Sequence, residues 1–206
     1  MSKTLATLMM SWVSGTVLAA PAVYNIDPNH TYPSFEADHM GGLSVLRGKF
    51  KQSSGTITLD LAAHSGEVNV KIDTSSLDFG HDKLNEHVKS DEMFDVAKYP
   101  TATYIGKFSK FNGEKPTEVR GELTLHGVSK PVTLTINSFL CKPNPMTKKE
   151  VCGADASANI NRADFGIGYG QQMGFKQDVK LAIQIEAPAG PLPPIALTRS
   201  GGVTPL

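Results

Sequence analysis

Thr56-Ile57-Thr58-Leu59-Asp60-Leu61 alternates polar and apolar side chains one residue at a time. Successive side chains of a strand point to opposite faces, so this run has one apolar face and one wetted face. The same beat returns in Glu67-Val68-Asn69-Val70-Lys71-Ile72-Asp73, in Val132-Thr133-Leu134-Thr135-Ile136-Asn137 and in Val179-Lys180-Leu181-Ala182-Ile183-Gln184-Ile185. Working outward from these runs, strands are expected near Tyr24–Asp27, Ser34–Met40, Leu46–Lys51, Thr56–Asp60, Glu67–Asp73, Ala102–Lys110, Glu118–Leu125, Val132–Leu140, Val151–Ile160 and Val179–Ala187, with Gly, Pro, Asn and Asp between them. That many half-apolar strands in one domain point to a mainly β fold, and such strands can close on themselves and leave an apolar interior.

One segment breaks the rhythm. In Asp82–Lys89, Leu84 and Val88 stand four apart, the spacing of one helix face, and Asp82 is expected to cap the start. Ser90-Asp91-Glu92-Met93-Phe94 is expected to form a second short helical turn capped by Ser90, with Met93, Phe94 and Val96 as an apolar plug. A short helix in a chain of strands caps or flanks a barrel end.

The 206 residues suit one domain, or at most two small ones. Lys plus Arg (20) balance Asp plus Glu (20), and no basic stripe is present, which argues against nucleic acid. Residues 1–22 read as a cleavable export signal. Lys3 opens it, Leu5 to Leu18 is mostly apolar, and Val17-Leu18-Ala19 and Ala20-Pro21-Ala22 supply small residues for cleavage. The stretch is too short and too mixed for the ~20 apolar residues that span a bilayer. The expectation is therefore an exported protein with no stable membrane anchor after cleavage. The domain is expected over 23–187. Beyond it, 188–206 is rich in Pro and Gly and is expected to lack regular pairing.

Cys141 and Cys152 bracket a polar, proline-bearing turn. Two strands joined by that turn bring the thiols together, and an oxidising compartment favours a disulfide. Free thiols and a metal pair short of its other ligands are the alternatives.

Several local patterns stand in order: Tyr24-Asn25-Ile26-Asp27-Pro28-Asn29-His30-Thr31; Phe35-Glu36-Ala37-Asp38-His39; Arg47-Gly48-Lys49-Phe50; His87 through Pro100; Leu123-Thr124-Leu125-His126-Gly127-Val128; and Asn161-Arg162-Ala163-Asp164-Phe165-Gly166. Together they resemble the YceI-like family of bacterial envelope proteins, over about Tyr24 to Ala187. The resemblance implies an extended, lipocalin-like antiparallel β-barrel. It also implies a long amphiphile, a polyisoprenoid or an isoprenoid quinone, in an elongated apolar cavity, and it makes the periplasm the expected location. In place of the family's common pair of aromatics before the middle Asp, this chain has Met93-Phe94-Asp95, and where an Arg-Asp pair is common it has Leu84-Asn85.

Period two then nominates the lining. Phe35, Ala37 and His39 share a face, as do Ile57, Leu59 and Leu61, then Val68, Val70 and Ile72, then Tyr104 and Phe108, then Val119, Leu123 and Leu125. The expected tail-binding set is Phe35, Phe50, Ile57, Leu59, Val68, Val70, Ile72, Leu84, Met93, Phe94, Tyr104, Phe108, Leu123, Leu125 and Phe165. His39, Arg47 and Arg162 are the candidates for the head group, as hydrogen-bond donors or paired guanidinium donors. Periodicity alone fits a barrel filled by side chains equally well; the hollow interior is what the resemblance adds.

No enzyme is expected. His81, Asp82, Glu86 and His87 form the densest ligand-like cluster, but His81 falls off the face shared by Asp82 and Glu86. No His-Glu-x-x-His and no Gly-x-Ser-x-Gly occurs, and Gly166-Ile167-Gly168-Tyr169-Gly170 lacks the helix a nucleotide loop needs. No metal and no cofactor beyond a bound isoprenoid lipid or quinone is expected. A ligand-free envelope stress or structural protein is the first alternative and a metal-dependent enzyme the second, and a homodimer stays open.

Overall fold

The computed structural model describes residues 21–191. Its strands are β1 (Ala22–Asn25), β2 (Tyr32–His39), β3 (Ser44–Phe50), β4 (Ser53–Asp60), β5 (Ser65–Asp73), β6 (Leu77–Asp78), β7 (Thr101–Asn112), β8 (Lys115–Leu125), β9 (Val128–Pro143), β10 (Glu150–Asn161) and β11 (Asp178–Pro188), with one helix, α1 (Asp82–Lys89), before β7. All eleven strands join one sheet in the order β1-β4-β5-β7-β8-β9-β10-β11-β2-β3-β6, and every pairing is antiparallel.

The sheet closes because β11 has two partners on one side. Val179–Gln184 pairs with β2. Farther along, β1 takes over: Tyr24 bridges Ala189, the Gly190 N–H donates to the Val23 carbonyl at 2.7 Å, and the Asp27 N–H donates to Glu186 at 2.9 Å. β1 also pairs with β4, so the edge strand at one end of the sheet order touches the strand next to β2. The result is a lipocalin-like antiparallel barrel, which leaves little free strand edge.

The expected strands all form. β6 was not foreseen: two residues carry no period, and it exists because Leu77, fully buried, pairs opposite Phe50. The helix spans the expected residues, but its cap is His81, whose Nδ1 accepts the Leu84 N–H at 3.4 Å. Asp82 instead lies in the first turn, where the helix dipole favours a carboxylate. Ser90 does not start a second helix. Its hydroxyl donates to the His87 carbonyl at 2.7 Å and closes α1, and Met93 to Tyr99 continue as hydrogen-bonded turns. The segment expected without pairing, 188–206, begins inside the sheet: Pro188 ends β11 opposite Val151, and Ala189 and Gly190 hold β1. Of the expected leader, Pro21 and Ala22 are described, and Ala22 pairs with Leu59. Residues 1–20 and 192–206 lie outside the described residues. No helix among the described residues is long and apolar enough to cross a membrane.

Candidate functional site

The inward faces of the strands do not meet. They leave a cavity of about 400 Å³, within the ~300–1,000 Å³ typical of small-molecule sites. On β11 the lining runs from Val179 to Ala187. Eight residue steps at about 3.3 Å give ~26 Å of wall, or ~20 Å along the axis for strands tilted by about 40°. The space is a tube, longer than wide.

Three buried clusters follow that tube. At one end Tyr24, Leu59, Cys152 and Ala187 pack with Phe108, Phe139 and Cys141. The middle is built from Val68, Val70, Tyr104, Val119, Leu123 and Leu134. At the other end Phe35, Phe50, Leu77, Val88 and Val179 pack with Phe79, Leu84, Met93 and Phe94. Here α1 and the Met93–Phe94 turn cover the barrel end, with Leu84, Val88, Met93 and Phe94 facing the tube.

The wall is hollow where its residues are small. β10 contributes Cys152, Gly153, Ala154 and Ala156, and the larger Leu181, Ile183 and Ile185 of β11 stand beside them. The disulfide between Cys141 and Cys152 joins directly opposed residues of β9 and β10. Cys152 is buried and borders the tube.

Polar atoms in the wall are already satisfied along most of its length. The Tyr104 ring lies over Gly121, where a Cβ would come within 2.7 Å of the ring. Its hydroxyl donates to the Val132 carbonyl at 2.9 Å, and burial pushes its pKa up to about 12. The Thr31 hydroxyl exchanges hydrogen bonds with the Glu186 backbone, donating to its carbonyl and accepting from its N–H, each at 3.1 Å. At the disulfide end the Tyr24 phenol donates to Glu150 at 2.6 Å; burial, helped by that carboxylate, raises its pKa well above the usual tyrosine value. A buried group paired in this way has little left to offer a ligand.

Polar side chains gather at the α1 end. Asp38, His39, His87, Arg162 and Tyr169 all border the cavity there. The His87 ring meets Tyr169 edge-on at 4.8 Å, and His39 meets Phe175 edge-on at 5.9 Å. Arg162 donates through Nη1 to the Ile167 carbonyl at 2.8 Å and through Nη2 to the Tyr169 carbonyl at 2.7 Å. Desolvation lowers the Arg162 pKa, opposed by the Asp38 carboxylate. Its guanidinium therefore shapes the 162–170 loop first, with two of its five N–H donors engaged there.

The expected tail-lining residues border this cavity with one exception. Phe165 does not: it is 2% exposed, packed in the core beneath the wall, and its carbonyl lies 3.2 Å from His126 Nδ1. Among the head-group candidates, His39 and Arg162 border the cavity and Arg47 does not. Arg47 alternates with the inward-facing Leu46, so it projects from the outer face, where its Nε donates to Glu36 at 2.9 Å. The sequence reading omitted the whole β9–β11 wall, including Leu134, Ile136, Ala154, Ala156, Ile183 and Ile185. The period-two signal is present in Val132–Asn137 and Val179–Ile185, and extending the same alternation rule finds Leu134, Ile136, Ile183 and Ile185.

His81, Asp82, Glu86 and His87 do not converge as a metal site. His81 is engaged with the Leu84 N–H, and His87 faces Tyr169 and, at 3.6 Å, Glu92. Among the described residues the one group with metal-ligand spacing is Cys141, Glu150 and Cys152, and both of its sulfurs are tied in the disulfide.

The same architecture recurs in other proteins. A YceI protein of Campylobacter jejuni superposes with a TM-score of 0.59 at 25% identity, over 72% of this chain and 88% of that one. A polyisoprenoid-binding domain from Saccharophagus degradans superposes with a TM-score of 0.57 at 18% identity, over 82% of this chain and 99% of that one. In sequence, protein YceI of Salmonella arizonae is 35% identical over 185 residues, which is 89% of this chain and 93% of the relative. The YceI-like domain profile matches residues 24–187, from the first strand that closes the barrel to the last residue of its disulfide end. A match over that whole span, on a barrel with this hollow interior, places the chain in the YceI-like family.

Proposed function

We propose that this protein is a periplasmic binding and carrier protein for one long-chain amphiphile, a polyisoprenoid or an isoprenoid quinone, and that it works by binding and not by catalysis. One observation carries this reading: an apolar tube about 20 Å long, closed over by apolar side chains, with its charged and imidazole side chains confined to one end. A molecule without donors or acceptors along its length fits such a wall, and a polar head fits the α1 end. The name of the Saccharophagus degradans domain, which describes it as polyisoprenoid-binding, supports the same ligand class. The leader-like pattern of residues 1–22 supports export.

The arrangement favours a neutral head over a phosphate. Arg162 gives one N–H of each Nη to a backbone carbonyl and has the Asp38 carboxylate acting on it, while the imidazoles of His39 and His87 at the same end suit a carbonyl or hydroxyl. Extraction of the protein from its native envelope into organic solvent, followed by mass spectrometry, is expected to yield one isoprenoid lipid per chain. Thermal unfolding of the emptied protein is expected to shift upward on adding quinone or polyprenol. An extract without stoichiometric lipid, together with no thermal shift, removes the proposal. Localisation is tested separately, by fractionating cells that express the full chain.

A further inference from the structure

The β9–β10 hairpin runs past the end of β8 on one side, while β11 flanks it as far as Val151 on the other, so that its tip clears the barrel wall. β9 pairs with β8 only over Val128–Thr135, and from Ile136 to Pro143 it pairs with β10 alone. The disulfide crosses this ladder at Cys141 and Cys152. The tip is held by its own hydrogen bonds. The Asn144 side-chain oxygen accepts the Met146 and Thr147 N–H groups at 2.9 and 3.0 Å, and the Asn144 backbone exchanges bonds with Lys148 and Lys149.

What the hairpin presents is amphipathic. Met146 sits at the apex and is 89% exposed, more than any other exposed large apolar residue described, and Leu140 on the shaft is 61% exposed. Lys142, Lys148 and Lys149 surround them, all exposed, and none forms an ion pair among the described residues. The hairpin carries two carboxylates: Glu150 accepts the Tyr24 phenol, and Asp155, farther down the shaft, accepts the Ser138 hydroxyl at 2.8 Å. An apolar apex ringed by ammonium groups, with no acid between Lys142 and Lys149, matches the interface of an anionic bilayer: the apex enters the headgroup layer and the lysines stay at the phosphates.

We infer that the β9–β10 hairpin docks the barrel on the surface of an anionic lipid bilayer through Met146 and the Lys142, Lys148 and Lys149 ammonium groups. The purpose of docking rests on the lipid-carrier reading, because Phe139 and Cys152 at the foot of the hairpin border the tube. The docking itself does not need a cargo.

The test is co-sedimentation of the full chain with sonicated vesicles. Vesicles of phosphatidylethanolamine with phosphatidylglycerol are compared with vesicles of phosphatidylcholine alone. Three lysines near a charged surface predict about a hundredfold preference for the anionic vesicles, fading as salt rises. Lys142→Gln, Lys148→Gln and Lys149→Gln combined are expected to abolish that preference, and Met146→Asp to weaken binding by about tenfold. Thermal unfolding is expected to be unchanged in both variants, since every altered side chain is exposed. As a control, Leu43→Asp with Met173→Asp removes exposed apolar residues from loops beyond β2 and before β11 and is expected to leave binding intact.

Three results overturn the proposal. One is wild-type protein that ignores anionic vesicles. A second is a triple variant that binds like wild type, or a control variant that loses binding instead. The third is light scattering that shows a wild-type dimer broken by the triple variant, which makes the hairpin a protein interface. If the organic extract holds no lipid while the triple variant still loses vesicle binding, the carrier reading falls and the docking surface stands.

Discussion

Replacing Ala154 by Phe tests whether the barrel is hollow, through the sign of a stability change. Ala154 lies on β10 just before a register shift at Asp155–Ala156, opposite Phe139 on β9 and Ile185 on β11, and it borders the cavity. A phenyl ring added there enters existing space. Burying a phenylalanine side chain contributes about 1.5–3 kcal/mol, and fixing its rotamer costs roughly 0.5–1 kcal/mol. The emptied variant is therefore expected to be more stable than emptied wild type by about 1–2 kcal/mol, or about 2–8 °C in Tm for a chain of this size. A packed interior predicts the reverse: overfilling costs about 1–3 kcal/mol through off-rotamer side chains and backbone shifts. Urea unfolding of delipidated protein reads the difference directly. The same ring narrows the tube, so ligand-dependent thermal stabilisation is expected to shrink or vanish. Destabilisation of the emptied protein by more than 1 kcal/mol refutes the hollow-barrel reasoning.

Replacing Cys141 and Cys152 by Ser is expected to lower stability by about 2–3 kcal/mol from the lost loop restraint, read as a drop in urea midpoint that a reducing agent reproduces in wild type and does not deepen in the variant. Arg162→Ala removes the donors to Ile167 and Tyr169; a loss of about 2–4 kcal/mol is expected, with amide exchange between Ala163 and Tyr169 accelerating more than in the strands. Acid should weaken the fold late. The Gly80 N–H and the Asn85 amide hold the Asp78 pKa down at about 2, and Lys110, Ser109 and Arg120 do the same for Glu118. These depressed carboxylates give stability that is complete above the unfolded value near 4 and is lost as pH falls through about 2. The urea midpoint should therefore hold at neutral pH and fall between about pH 4.5 and 2, less steeply in Asp78→Ala; an equal slope in the variant contradicts the assignment.

Much of the barrel was legible because it is written in one period. Every long strand alternates, and alternation survives ignorance of the partner strand. The same rule could have placed Arg47: Leu46 and Phe50 face inward, so Arg47 falls on the opposite face, where Glu36 binds it. Phe165 has no such neighbours. It sits in a single turn whose direction is set by Gly166 in a left-handed conformation (φ 80°), and periodicity says nothing there. β6 escaped because two residues show no alternation. His81 escaped as a cap because a histidine ring rarely takes that role, and here it does so only at 3.4 Å. Ala154 and Ala156 were passed over for a different reason. Alanine reads as neither core nor surface, yet these small side chains are what leave room inside.

The length of the tube sets what selectivity this barrel can have. A prenyl unit of about five carbons, at about 0.8 kcal/mol per buried methylene, contributes up to ~4 kcal/mol. Five such units already reach the ~18–21 kcal/mol at which non-covalent binding saturates, and a tail of about forty carbons would exceed it. Affinity therefore cannot climb with every added unit; the ordering of the tail and incomplete burial must flatten it. A tube of about 20 Å also runs out of wall. A series of prenyl alcohols is thus expected to gain affinity steeply at short lengths and then level off, the extra units hanging outside. Exchanging the head at fixed tail length, hydroxyl for quinone, changes only contacts with His39, His87 and Tyr169 at one end and should move affinity by tenfold or less, the worth of about one hydrogen bond. Calorimetry on the emptied protein measures both. A series in which head chemistry dominates, or in which affinity ignores tail length from the start, means that the apolar wall is not where the ligand is held.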